Sequence, residues 1–202
     1  MNYLAHFHLS YGDDALLVGA LLGDFVKGPL RGNLDRRLEQ GIWLHRKIDA
    51  FTDNNEQLRQ LRQRFRPEFH RYSGIMTDVI FDHFLNLHWQ KFHGQPLAEF
   101  SSEIYQLLDN HHQLPPAAQQ LATNLRRYDV LGNYAQWQTV ESALPRIGQR
   151  LNRGRPGRGN PLQEAAAELR MHYEGLERGF LAFYPQLITH CKQLRSTLPN
   201  GD

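Results

Sequence analysis

The stretch "HRKIDAFTD", residues 45–53, sets His45, Asp49 and Asp53 four residues apart, with Arg46 beside the first. On a helix, residues four apart share a face. "MTDVIFDHFL" repeats the device with Asp78 and Asp82, followed directly by His83. His6 and His8 flank Phe7 near the start, and Asp24 follows "VGALLG". A face of imidazole and carboxylate is poor core material, and burying a carboxylate without a partner costs several kcal/mol. Too few lysines and arginines are interleaved to pair all these acids, although Arg46 and Lys47 can take one or two.

A divalent metal satisfies several carboxylates and imidazoles at once. Mixed His and Asp ligands suit Mn²⁺, Fe²⁺, Zn²⁺ or Mg²⁺, with oxygen-rich sets favouring Mn²⁺ or Mg²⁺. Helices carrying His45, Asp49, Asp78, Asp82 and His83 can converge on a metal in a bundle core. Such a centre lowers the pKa of a water and polarises a phosphoryl oxygen, which points to phosphate-ester hydrolysis. Arg46 is expected to offset transition-state charge, and a non-ligating Asp or His to orient the water or protonate the leaving group. The competing reading is a buried salt-bridge network with Arg46 and no metal. Asp53 can be a cap or a salt-bridge partner instead. His88, His93, His111, His112, His172 and His190 read as surface or tryptophan-adjacent histidines.

The elements that must position these groups read as helices throughout: apolar residues recur at three and four, and alternating β-branched runs are scarce. The spacing predicts helices over about 2–11, from Asp13-Asp14 to near Gly28-Pro29, and from Asn33 or Asp35 to about Phe65, where Pro67 stops the chain. A further apolar helix should end at Gly94, one should cover 97–110, and a short one should reach Tyr128. Tyr134, Trp137, Val140, Leu144, Ile147 and Leu151 mark another, kinked or interrupted by Pro145. The last should run from Pro161 to Leu194 with a kink at Pro185, its aromatic stripe facing the core. No repeat or boundary divides the 202 residues, so one all-α domain is expected over 1–202. "NRGRPGRGNP" reads as a basic flexible loop at about 152–161.

Composition narrows the classes. No apolar run approaches the roughly 18 residues that span a bilayer, so no membrane insertion is expected. A basic n-region and an apolar h-region are both lacking at the start. Cys191 is the single cysteine, which excludes an intrachain disulfide and suits a reducing cytoplasm. It reads as an inert small hydrophobe. Net charge is only +2, which gives no global field for nucleic acid. Seven of eleven histidines fall within the first 93 residues, whereas Arg146, Arg150, Arg153, Arg155 and Arg158 crowd one acid-free stretch. The chemistry belongs to the first half and a basic patch to the second.

"MNYLAHFHLS", "GALLGDFVKG", "GIWLHRKIDAFTDN", "DVIFDHFLNLHW" and the terminal "FYPQL", in that order, resemble the acyl carrier protein phosphodiesterase (acyl carrier protein hydrolase) family over nearly the whole chain. The resemblance implies an HD-domain-like helical phosphohydrolase. Such enzymes use a divalent metal, typically Mn²⁺, to cleave 4′-phosphopantetheine from the serine of holo acyl carrier protein, leaving the apo carrier. By that resemblance His6, His8, Asp24, His45, Asp49, Asp78, Asp82 and His83 match the metal-centre motifs; His6, Asp24, His45, Asp49, Asp78 and Asp82 are the expected ligands, and Asp24, Arg46 and His83 the expected catalytic residues. The chain departs from the usual HD order, since its adjacent pair, Asp82-His83, is reversed. Acyl carrier proteins are small and acidic, so the five arginines are expected to dock the carrier. Two other functions remain at this stage: an HD-type hydrolase of a nucleotide or another small phosphodiester, and a non-enzymatic helical binding protein, for instance for RNA. Against the last, "NRGRPGRGNP" contains no aromatic for stacking.

Overall fold

A computed structural model describes residues 3–111, 113–152 and 159–198. Every regular element among them is helical. Helix α1, Tyr3–Ser10, is apolar nearly all round, with Leu4, Ala5 and Phe7 fully buried, so it runs through the core instead of over it. Asp13 caps α2, Asp14–Leu22, by accepting from the Leu16 N–H, and pairs with Arg37. Asp35 caps α3, Arg36–Asp53, through the Arg37 and Leu38 N–H groups.

Helices α2 and α3 cross with their backbones in contact. A Cβ added at Gly19 would lie 2.6 Å from the Gly41 Cα, and one at Gly41 would lie 2.8 Å from the Gly19 Cα. Only glycine at both positions allows this approach. One turn further along each helix stand Gly23 and His45, so the crossing also determines what surrounds that imidazole.

The expected long helix from Asp35 to Phe65 is two. It breaks at Asn54, and Asn55 adopts extended backbone (φ −72°, ψ 120°) and caps α4, Glu56–Arg62, by accepting from the Leu58 N–H. A side chain able to bond the backbone locally outcompetes helix continuation. A 3-10 turn over Pro67–Tyr72 leads into α5, Ser73–Leu87. Helices α1 and α4 and the last three helices of the described chain all pack on α5, which makes it the hub. The expected extension to Gly94 is a separate short helix, α6, Trp89–Phe92. Then come α7, Leu97–Asn110, α8, Pro116–Arg127, and α9, Trp137–Leu151. The expected last helix is divided at His172 into α10, Ala165–Met171, and α11, Tyr173–Ser196.

Pro145 and Pro185 do not interrupt α9 or α11. The carbonyls deprived of a donor, at Glu141 and Leu181, belong to residues open or partly open to water, which removes most of the penalty. Phe180, Phe183 and Tyr184 are fully buried, so the stripe of the last helix is core. Cys191 is buried, and burial pushes its thiol up to about 12, as expected of an inert hydrophobe. Among the described residues no helix is long and apolar enough to cross a membrane.

Candidate metal centre

His45 points from α3 toward α2, where its Nδ1 lies 2.8 Å from the Ala20 carbonyl. A carbonyl only accepts, so Nδ1 carries the proton and the free tautomer leaves a lone pair on Nε2. That Nε2 lies 3.2 Å from Asp49 Oδ2 and 3.7 Å from Asp24 Oδ1. His6, on α1, stacks on the His45 ring with centroids 3.9 Å apart and planes 13° from parallel, and its Nε2 lies 3.2 Å from Asp49 Oδ1. One carboxylate thus bridges two stacked imidazoles. Ligand atoms of His6, His45 and Asp49 all fall within 4.8 Å of one another.

Burial, and then the neighbouring His45, lowers His6 to about 4, so it is neutral near pH 7. Burial alone would raise the Asp49 carboxyl; its contacts with His45 and His6 outweigh it and hold Asp49 far below the usual carboxylate range. An imidazole lone pair facing two carboxylates requires a cation between them, either a proton or a metal. Two imidazole nitrogens and two carboxylates at these separations match the donor set of Mn²⁺, Fe²⁺ or Zn²⁺. The Ala20 carbonyl behind His45 supplies the outer hydrogen bond that metal-binding histidines usually make. The residues therefore fit a divalent metal.

Gly23, at the C-cap of α2, closes one side. A Cβ there would lie 2.3 Å from His45 Cγ, so the backbone must run over the ring before turning out at Asp24. Tyr3, one turn before His6, lines the cleft beside Asp24; burial, then the Asp24 charge, raise the Tyr3 phenol above its usual range. The centre opens into a cleft of about 320 Å³. Tyr3 and His6 of α1 and Asp24 line it on one side, Ile75, Asp78 and Val79 of α5 on another, and Ile147, Arg150 and Leu151 of α9 on the third. A wider cleft of about 540 Å³, lined by Arg64, Arg170 and Arg178, lies between α4 and the α10–α11 junction. It gathers no comparable ligand set among the described residues, so cavity size does not locate the chemistry.

The other expected site residues go elsewhere. Asp78 reaches the cleft, and burial raises its carboxyl above the ordinary value. Asp82 is buried on the face of α5 that packs against α1, and burial pushes it up to about 8. Arg46 does not face the acids: its guanidinium donates to the carbonyls of Val26 and Gly28, both at 2.8 Å, and ties down the loop that follows Asp24. His83 is not in the group either; its Nδ1 bonds the Tyr134 carbonyl at 2.7 Å and its Nε2 the Tyr173 hydroxyl at 2.8 Å. His8 lies 2.8 Å from the Tyr184 hydroxyl and meets the Trp89 and His93 rings edge to face. Asp53 pairs with Arg62 at 3.3 Å, the salt-bridge alternative. His88 pairs with Glu177 and His172 with the buried Glu168. Arg146 and Arg150 are exposed on α9; Arg153, Arg155 and Arg158, and most of the expected loop, lie outside the described residues.

Sequence reasoning passed over Tyr3 and Gly23. Tyr3 stands one turn before His6, and Gly23 directly precedes Asp24. Both signals were available as spacing.

The acyl carrier protein phosphodiesterase family matches residues 1–187. An acyl carrier protein phosphodiesterase of Klebsiella pneumoniae (strain 342) is 35% identical over 193 residues, covering 93% of this chain and 96% of its own. That of Serratia proteamaculans is 35% identical over 194 residues, covering 95% and 98%. That of Escherichia coli O45:K1 is 34% identical over 193 residues, covering 93% and 96%. No solved structure matches the chain.

Proposed function

The chain belongs to the acyl carrier protein phosphodiesterase family, and on that premise we propose that it hydrolyses the phosphodiester linking 4′-phosphopantetheine to the serine of holo acyl carrier protein, releasing the apo carrier. It is a phosphodiester hydrolase, and it is all-α. We extend the all-α description to an HD-like arrangement with one departure: the candidate ligands come from α1, α3 and the end of α2 instead of from an adjacent His-Asp pair.

One observation carries the site reading: His45, committed by Ala20 to an Nε2 lone pair, faces the carboxylates of Asp49 and Asp24. In this reading His6, His45, Asp49 and Asp24 hold a divalent metal, Mn²⁺ by preference. When bound, the metal lowers the pKa of a water and polarises a phosphoryl oxygen. The residues do the rest. Asp49 keeps both imidazoles oriented. Tyr3 fixes the Asp24 carboxylate, which is placed to accept the proton of the attacking water. Asp78, across the cleft, is placed to return a proton to the serine oxygen as it leaves. Arg46 is a positioning residue that acts through the loop bearing Asp24.

We assign the exposed Arg146 to docking of the acidic carrier, with Arg153, Arg155 and Arg158 as further candidates. Arg146→Glu should raise KM more than it lowers kcat, and an unchanged KM at low salt would reject that assignment. One buried thiol suits a reducing compartment, and we place the reaction in the cytoplasm. The decisive experiment incubates the protein with holo acyl carrier protein and Mn²⁺, with and without a chelator, and reads the carrier's intact mass. Loss of the phosphopantetheine mass, blocked by the chelator, is the expected result. An unchanged mass with every divalent metal would overturn the proposal.

A further inference from the structure

The wall of the cleft contributed by α9 has no part in the metal centre, yet it is built to a pattern. Ile147, Arg150 and Leu151 fall at i, i+3 and i+4, so they share one helix face. On α5, Ile75, Asp78 and Val79 repeat the spacing, and the two helices pack together so that both faces line the same space. Each helix thus offers two branched apolar residues around one charged residue. Leu151 is 41% exposed at the mouth and Val79 only 2% exposed at the floor, so the apolar surface runs down into the cleft beside His6 and Asp24.

The charges explain the need for Arg150. Asp24 and Asp49 together cancel a divalent cation, so the loaded centre has no net charge with which to draw in a phosphodiester monoanion. An ionised Asp78 would repel it. Among the described residues lining the cleft, Arg150 is the only basic side chain apart from the imidazole of His6. It stands in the last turn of α9, where the helix dipole favours a cation. Its charge reaches the Tyr3 phenol, and therefore the side of the cleft that holds Asp24. A guanidinium is suited to phosphate oxygens by geometry as well as charge. The apolar residues need a different explanation. In the phosphopantetheine arm, the second carbon from the phosphate is quaternary and bears two methyl groups. Four branched side chains flanking a phosphate-directed arginine complement that feature, which a nucleotide or a simple alkyl phosphate lacks.

Resting on the function proposed above, we infer that the α5–α9 face is the substrate grip. Arg150 pairs with a non-bridging phosphate oxygen, and Ile75, Val79, Ile147 and Leu151 seat the dimethyl-bearing carbon beside it. This face supplies the selection for phosphopantetheine that the metal centre alone does not.

The test needs no turnover. With Mn²⁺ present, calorimetry compares 2,2-dimethylpropyl phosphate, which carries the branched carbon, with n-propyl phosphate, which does not. The branched ester should bind about tenfold more tightly, since two further methyl groups are buried. Leu151→Asn should reduce that preference to about threefold or less. Arg150→Gln should weaken both esters by about tenfold or more while leaving the preference intact, as loss of a charge-assisted hydrogen bond implies. Equal affinities for the two esters in the unaltered protein, or Arg150→Gln binding both as tightly as before, would overturn the inference. Failure to cleave holo carrier alongside the expected ester preferences would reject the proposed substrate and leave the grip standing. Cleavage of holo carrier without any ester preference would do the reverse.

Discussion

His45 and His83 begin alike. Both are buried on core helices, and both give their Nδ1 proton to a main-chain carbonyl, His45 to Ala20 at 2.8 Å and His83 to Tyr134 at 2.7 Å. They differ in what the second nitrogen meets. His83 Nε2 meets the Tyr173 hydroxyl at 2.8 Å, which can donate to it and complete its needs. His45 Nε2 meets Asp49 and Asp24, which cannot donate when ionised. One histidine is satisfied by the fold; the other faces carboxylates that a proton or a metal ion must bridge. Burial does not separate chemistry from packing here. The partner of the second nitrogen does.

The contrast can be broken most severely in activity. Asp49→Ala or His45→Ala should abolish more than the roughly 100-fold that loss of an outer hydrogen bond typically costs a metal enzyme. His83→Gln should leave kcat on holo carrier within about threefold. Equal losses at both sites would mean that the satisfied histidine also takes part in the chemistry. Gly23→Ala comes next. Its new methyl would press on the His45 ring, which is a rigid neighbour, so activity should fall by about tenfold or more and stability by about 1–3 kcal/mol. A variant with normal activity would show that the ring can move freely.

Tyr173→Phe sharpens the comparison from the other side. It strands His83 Nε2 and should cost about 1–3 kcal/mol of stability, read as a lower unfolding midpoint, with kcat unchanged. The smallest effect is on pH dependence. Burial holds His83 below its ordinary 6.5, so the folded protein favours the neutral ring while the unfolded chain takes up a proton near 6.5. His83 therefore contributes stability above pH 6.5, and this is lost as pH falls from there through the folded-state value. His83→Gln should show a smaller drop in unfolding midpoint between pH 7.5 and 5.5 than the unaltered protein. An identical drop would remove His83 from the acid limb.

His45 and Asp49 were legible because a four-residue step survives intact on a helix. Arg46 and His83 were assigned chemistry while standing next to His45 and Asp82 in sequence. Adjacent helical residues are turned by about 100° from one another, so Arg46 reaches the Val26 and Gly28 carbonyls and His83 turns to Tyr134 and Tyr173. The convergence of α1 on the cluster was legible only as histidines near the start of the chain. What brings α2 against α3 is the contact of Gly19 with Gly41, long-range information that no periodicity carries. The break at Asn54-Asn55 was missed for a local reason: the apolar period continues across it, and the competing Asn55 cap becomes visible only in its bond to Leu58.

Calorimetric titration of Mn²⁺ into the metal-free protein, its Asp49→Asn variant and its His83→Gln variant tests the central claim most directly. Asp49→Asn keeps the shape of the bridging side chain and removes its charge. The account predicts saturable binding to the unaltered protein and to His83→Gln with similar affinity, and binding at least tenfold weaker to Asp49→Asn. Equal affinity in all three, or no binding to the unaltered protein, would contradict it.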